Sequence, residues 1–202
     1  MEALAWLMPL AVAWAVAVWF FRSAGAWLPY YVLASAGSAL LIVFASREIV
    51  PIEFGIRAST AFAVHHLAGL VGIQTDVVRT DPGAILIVGV RHGNEWTHLN
   101  VGLETSGLLE GAALFGLVAF FPAQGGLGRV AVVLLALAAS FGANILRVMI
   151  IVTIVAYQGQ GLLDLAHIVL GRIVFFALAI GIYWLAITKP TLRTVGARLK
   201  DA

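Results

Sequence analysis

Five long apolar runs alternate with short polar breaks along this chain, and one extended polar region interrupts them. Residues 5–21 are almost wholly apolar and carry Trp6, Trp14 and Trp19. Arg22, Ser23 and Gly25 mark a turn, after which a second run covers 27–45; its Ser35, Gly37 and Ser38 offer small side chains for close helix packing. A third run covers 107–121 and stops at Pro122. A fourth, over 130–157, is longer than a bilayer requires, and a fifth, over 168–187, closes at Lys189 and Pro190. Each predicts a transmembrane helix, because a hydrocarbon core takes roughly 20 apolar residues to cross.

The region 46–104 has another character. Arg47, Glu48, Glu53, Arg57, Asp76, Arg79, Asp81, Arg91 and Glu95 all fall in it, so most of it belongs in water. Residues 58–73 are mildly apolar but interrupted by His65 and His66, which predicts an interfacial helix along the membrane surface, with a short crossing as the alternative. Three runs rich in β-branched residues follow, over 76–80, 84–91 and 95–103. Asp81-Pro82-Gly83 and Gly93-Asn94 separate them, so they predict a small antiparallel meander. In the last run His98, Asn100, Gly102 and Glu104 alternate with Leu99, Val101 and Leu103. At 101–111 that strand pattern gives way to a helical one.

The expected fold is an all-α polytopic membrane protein of about five transmembrane helices, with an interfacial helix and a small extracytoplasmic β-meander. It forms one integral membrane domain over 1–202, in which 46–104 is an extracytoplasmic insert and 188–202 a cytoplasmic basic tail.

Composition supports this reading. The 202 residues are 62% hydrophobic and 11% charged, with a mean hydropathy of +1.02. A soluble domain of this length could not bury that much apolar surface, so the lipid bilayer is the expected solvent. A net charge of +2 gives no footing for nucleic acid. The absence of cysteine removes disulfides, thiolate metal sites and thiol catalysis. His65-His66, His92 and His98 lack ligand-like spacing, and they read as surface or interfacial residues with no metal and no cofactor expected.

Orientation follows from Lys189, Arg193, Arg198 and Lys200, which place the tail in the cytoplasm. Counting back puts 46–104 and 158–167 on the outer side, in a multi-pass protein of the cell membrane. The first run follows Met1-Glu2 with no basic segment ahead of it, so it is expected to be a membrane helix rather than a cleaved signal.

Polar residues inside the apolar runs are the candidates for chemistry. An arginine within a membrane helix is expensive, which makes Arg147 the most informative charge in the chain. If Arg129 marks the inner interface, Arg147 stands roughly 27 Å above it, near the outer edge of the core. Ser140, Asn144 and Arg147 share one helical face. Thr105 and Ser106 lie at the start of the third run, where their hydroxyls suit a helix cap and where unpaired N–H groups could steady an oxyanion. His167 precedes the fifth run, with Asp164 close before it. The plain alternatives are a capping pair at 105–106, a snorkelling Arg147 or its ion pair with Glu110, and an interfacial His167 paired with Asp164. What favours a site is that a hydroxyl, a guanidinium and an imidazole are all expected at one level of the membrane.

Glu104-Thr105-Ser106-Gly107-Leu108, then Ala143-Asn144-Ile145-Leu146-Arg147-Val148, then Ala166-His167 ahead of an apolar helix, resemble the exosortase/archaeosortase family of membrane transpeptidases. The resemblance covers roughly 75–187, and its specific part is the Asn-x-x-Arg-Val block within a membrane helix. It implies a peptidase or transpeptidase that cleaves C-terminal sorting signals of secreted proteins. Such a signal has a short motif, a membrane helix and a basic cluster, and the cleaved protein is passed to a surface anchor. In that family a Cys-Ser-Gly motif supplies the nucleophile. Here Thr105 stands at the cysteine position and Ser106 at the serine.

A threonine hydroxyl needs an adjacent base. The resemblance therefore implies Thr105 as nucleophile, His167 as base with Asp164 orienting it, and Arg147 as the oxyanion's partner, with Asn144 and Ser106 in support. The competing expectation is an inactive relative that binds substrate or serves in assembly. A rhomboid-type serine protease fits less well, because Glu104 occupies the first glycine of its Gly-x-Ser-Gly pattern. A transporter fits less well still, for want of broken helices with charges at the midplane.

Overall fold

The computed structural model describes residues 2–48, 52–80, 85–121, 126–163 and 165–200. Its elements run in the order α1 (Glu2–Ser23), α2 (Trp27–Glu48), α3 (Ile52–Leu70), β1 (Thr75–Thr80), β2 (Ile85–His92), β3 (Glu95–Val101), α4 (Leu103–Ser106), α5 (Leu108–Ala119) and α6 (Gly126–Gln158). After a 3₁₀ turn at Gln160–Leu162 and a π-helical stretch at Leu165–Leu170 come α7 (Gly171–Tyr183), a second π-helical stretch at Trp184–Thr188, and α8 (Lys189–Lys200). The chain divides into two compact units, one from 1–51, 109–140 and 179–202, the other from 52–108 and 141–178.

Among the described residues four helical segments are long and apolar enough to cross a membrane: Trp6–Ser23, Trp27–Arg47, Gly128–Gln158 and Ile168–Arg193. Large apolar side chains such as Trp6, Leu10, Trp19, Val32, Leu40, Leu135, Ile173 and Phe176 are exposed on them. That is the surface of a protein whose solvent is lipid.

The third expected span differs. Its helix, α5, has 12 residues and rises only about 18 Å. Gly107, with a left-handed φ of 77°, ends α4 and separates it from α5. The expected interfacial helix also differs, in starting earlier than 58 and stopping at Leu70. Glu53 sits in its first turn, where a carboxylate favours the helix dipole, and pairs with Arg57 one turn on.

In the first unit α2 meets α5 through small residues. Ser35 Oγ donates to the Gly116 carbonyl at 3.0 Å and Tyr31 Oη to that of Leu117 at 2.9 Å. The Trp14 indole N–H donates to the Leu33 carbonyl at 2.9 Å and its ring lies over Gly37. Leu114, Val118, Val133, Ala136 and Ile187 form this unit's core.

In the second unit the strands make the expected meander in the order β1-β2-β3, antiparallel throughout. Val88 pairs with Leu99 and Val90 with Thr97, and all four are buried, whereas His98 and Asn100 on the alternate positions are exposed. Strand alternation therefore works as the sequence suggests. The buried face joins Ala61, Val64 and Ala68 of α3 and Val148, Ile151, Val152 and Val155 of α6 in one core.

Candidate functional site

All of the residues singled out for catalysis fall in the second unit. β3 hands the chain to α4 through Gly102, which accepts hydrogen bonds from both Thr105 N (3.2 Å) and Ser106 N (3.0 Å). Those two N–H groups are thereby spent on closing the turn. They are not the open oxyanion donors that a helix start at 105 suggested. Nor does Thr105 cap a helix: the N-cap of α4 is Gly102, with no side-chain cap. Ser106 does cap, its Oγ accepting from Leu108 N at 3.2 Å where α5 starts. The Thr105 hydroxyl instead donates to the Asn100 carbonyl at 3.4 Å, long for an O–H···O bond and easily given up.

Asn144 ties this turn to α6. Its Nδ2 donates to the Thr105 carbonyl at 3.0 Å, while its Oδ1 is buried with no hydrogen-bond partner among the described residues. Asn144 and Ser106 are 0% and 1% exposed, Thr105 and Arg147 7% each. Burying polar side chains in so apolar a unit is costly unless they are bonded, and Thr105, Ser106 and Asn144 each make a hydrogen bond there. Gly107 is part of the fit, because a Cβ there would stand 2.8 Å from Asn144 Cγ.

Asn144→Ala should therefore destabilise the protein by about 1–3 kcal/mol, since it strands the Thr105 carbonyl without its donor. Gly107→Ala should cost more than the roughly 1–2 kcal/mol of its left-handed backbone alone, because it also strikes Asn144. Thermal unfolding in detergent micelles measures both. Equal stability of wild type and Asn144→Ala would show that the bond to Thr105 carries no weight.

Arg147 follows Asn144 by less than one helical turn. Its guanidinium lies over the Phe175 ring, Cζ 5.1 Å from the centroid, a cation–π seat. Its stem passes beside Gly171, where a Cβ would be 3.4 Å from Arg147 Cγ and 3.1 Å from Ile151 Cδ1. Ser140, on the same face of α6, is also buried. His167 sits in the π-helical stretch Leu165–Leu170, a local widening that inserts an extra residue into a turn and often marks functional positions. Its side chain and the whole of Asp164 lie outside the described residues. The structure thus brings Thr105, Ser106 and Asn144 together with Arg147 nearby on α6, and leaves the imidazole's aim undescribed.

Thr105 also borders a cavity of about 160 Å³, shared with Val88, His98, Leu99, Asn100, Val101, Val148, Ile151 and Leu163. Arg147 is not among the lining residues. His98 is: exposed, as its lack of ligand-like spacing suggests, it also forms part of the cavity wall. The available signal was its place on a strand that runs within seven residues into Thr105. His92 and His65 have structural roles instead. His92 Nδ1 bonds the Ala156 carbonyl at 2.8 Å, and His65 Nδ1 lies 2.9 Å from Thr75 Oγ1. Compared with protein-family models, with curated proteins and with solved structures, the chain finds no match.

Proposed function

We propose that this chain is an exosortase-like membrane peptidase or transpeptidase, multi-pass in the cell membrane with its C-terminus cytoplasmic, that cleaves C-terminal sorting signals of secreted proteins at the outer face. The observation that carries this reading is the Asn144–Thr105 bond. It couples the hydroxyl-bearing turn to the arginine-bearing helix inside a buried polar cluster that borders a cavity.

In the proposed reaction Thr105 Oγ attacks the scissile carbonyl carbon while His167 takes the hydroxyl proton. Arg147 steadies the negative charge that gathers on the carbonyl oxygen. The C–N bond then breaks, His167 returns the proton to the leaving amine, and an ester remains on Thr105. Water or an acceptor nucleophile resolves that ester, and the Thr105 oxygen recovers its proton. His98, which lines the same cavity as Thr105, is a second candidate base.

A second reading is an inactive homologue that binds such signals or serves in assembly. It is favoured by the seat of the Arg147 guanidinium on Phe175, outside the cavity, and by the engagement of the Thr105 hydroxyl with Asn100.

The deciding experiment is co-expression with a secreted reporter bearing a short motif, an apolar helix and a basic cluster at its C-terminus. The intact protein should shorten the reporter, Thr105→Ala and His167→Ala should not, and Thr105→Cys should match or exceed wild type because a thiolate is the readier nucleophile. Shortening lost in Ser106→Ala but kept in Thr105→Ala would move the nucleophile by one residue. Failure of His98→Ala alone would move the base. An unshortened reporter that is still retained by the wild-type protein would establish the binding reading.

A further inference from the structure

The cavity beside Thr105 has an unusual wall. Four consecutive β3 residues, His98, Leu99, Asn100 and Val101, all line it. Successive side chains of a strand point to opposite faces of the sheet. The cavity lies under the sheet's buried face, where Val88, Leu99 and Val101 meet Val148 and Ile151 of α6, and reaches around the free side of β3 to His98 and Asn100. Among the described residues β3 is an edge strand, paired only with β2 in the three-stranded sheet. The opposite wall is apolar, made by Val148 and Ile151 of α6 and by Leu163. Thr105, just past the end of β3, closes one side.

We infer that this edge is the seat of an extended peptide, which lays its backbone along β3 and drops one apolar side chain of valine to phenylalanine size into the cavity. Strand addition to a sheet edge supplies sequence-independent affinity, and the side-chain pocket supplies selectivity. The size fits: a cavity of about 150 Å³ lined by aliphatic residues is large enough to take benzene. Six of the nine lining residues are aliphatic, so a carboxylate entering the cavity would lose much of its hydration. The inference rests on Thr105 facing substrate, and it adds what sits next to the reacting bond: an apolar residue in an extended segment.

The test does not depend on turnover. The chain contains no cysteine, so Thr105→Cys places a single thiol at a position that is 7% exposed. Alkyl methanethiosulfonates convert that thiolate to a mixed disulfide and release a sulfinate. The benzyl reagent should label Cys-substituted position 105 at least about tenfold faster, relative to the charged sulfonatoethyl reagent, than it labels Asn94→Cys in the exposed hairpin turn; pocket contacts worth one or two methylenes give that factor.

Leu163→Phe, which fills the pocket, should erase the benzyl preference while leaving labelling by the methyl reagent intact. Leu163→Ala should extend the preference to a larger naphthylmethyl reagent. Capped peptides of alternating alanine and threonine with one central leucine should protect the thiol; the same peptides with central aspartate should not. Reagent preferences equal to those of Asn94→Cys, or unmoved by both Leu163 variants, would overturn the pocket. Equal protection by the leucine and aspartate peptides, or protection by neither, would overturn the peptide seat. A protein that passes these tests yet never shortens the reporter would retain the seat and lose the peptidase reading, so the two failures are separable.

Discussion

Exchange of Arg147 for methionine should lower reporter processing by about 10²–10³-fold, the usual cost of losing one oxyanion donor, while the yield of folded protein stays within about twofold of wild type. The two halves of this expectation have different causes. Methionine keeps an unbranched stem beside Gly171 and presents a thioether to Phe175, a favourable contact of its own. Methionine thus fills the buried space of a side chain 7% exposed with an apolar one of similar length, which is why folding should not suffer. On the proposed reading, only the reaction needs the positive charge.

Arg147→Lys should also be deficient, because an ammonium lacks the planar fork that can rest on a ring and still direct two donors at one oxygen. Processing rate is read by pulse-labelling the reporter, and folded yield by monodispersity in detergent. Full processing by Arg147→Met would end the catalytic role and leave the arginine as packing. Loss of both yield and processing would give it a structural role instead.

The second large effect concerns the first unit. Gly116→Leu should destabilise it by about 3 kcal/mol or more, at the upper end of overpacking penalties, and sharply reduce the amount of protein that accumulates in the membrane. A Cβ at 116 would lie 2.3 Å from the Ser35 carbonyl oxygen and 2.9 Å from Ser38 Oγ. The first of these is backbone and cannot rotate away. Helices α2 and α5 would have to separate, and the Ser35 Oγ bond to the Gly116 carbonyl would go with them. Helix contacts in lipid depend on such close approaches, because apolar side chains gain nothing by leaving lipid for one another. Gly111→Leu on the same helix, with open space around its Cβ position, is the matched control and should be tolerated. Equal accumulation of the two variants would show that α2 and α5 do not depend on this contact.

Much of the fold was legible because its signals are local. Turn residues at Gly93-Asn94 and β-branched runs on either side define the β2–β3 hairpin, and the alternation of Leu99 and Val101 with His98 and Asn100 gives the buried face. The small residues at 35, 37 and 38 marked a close helix contact, and each of them has one. Less legible was the start of the third apolar run. Nothing in Leu103-Glu104-Thr105-Ser106 distinguishes a short separate helix from the first turn of a long one. The left-handed backbone at Gly107 makes that distinction, and it fits because Asn144 occupies the space where a side chain would project.

By itself, the order of residues determined that the chain carries membrane-length apolar helices, a small meander between them, and polar side chains in costly places. Composition and periodicity are enough for that, since burial in lipid and pairing in a sheet are set by neighbours along the chain. What only tertiary structure decided is which polar groups meet. The Asn144 amide finds the Thr105 carbonyl across a gap of 39 positions, the Arg147 guanidinium settles on Phe175, and the cavity next to the hydroxyl opens between the sheet and α6 beside β3. Such contacts depend on the phase of α6 against a turn that a single glycine re-aims, and no spacing along the chain contains that angle.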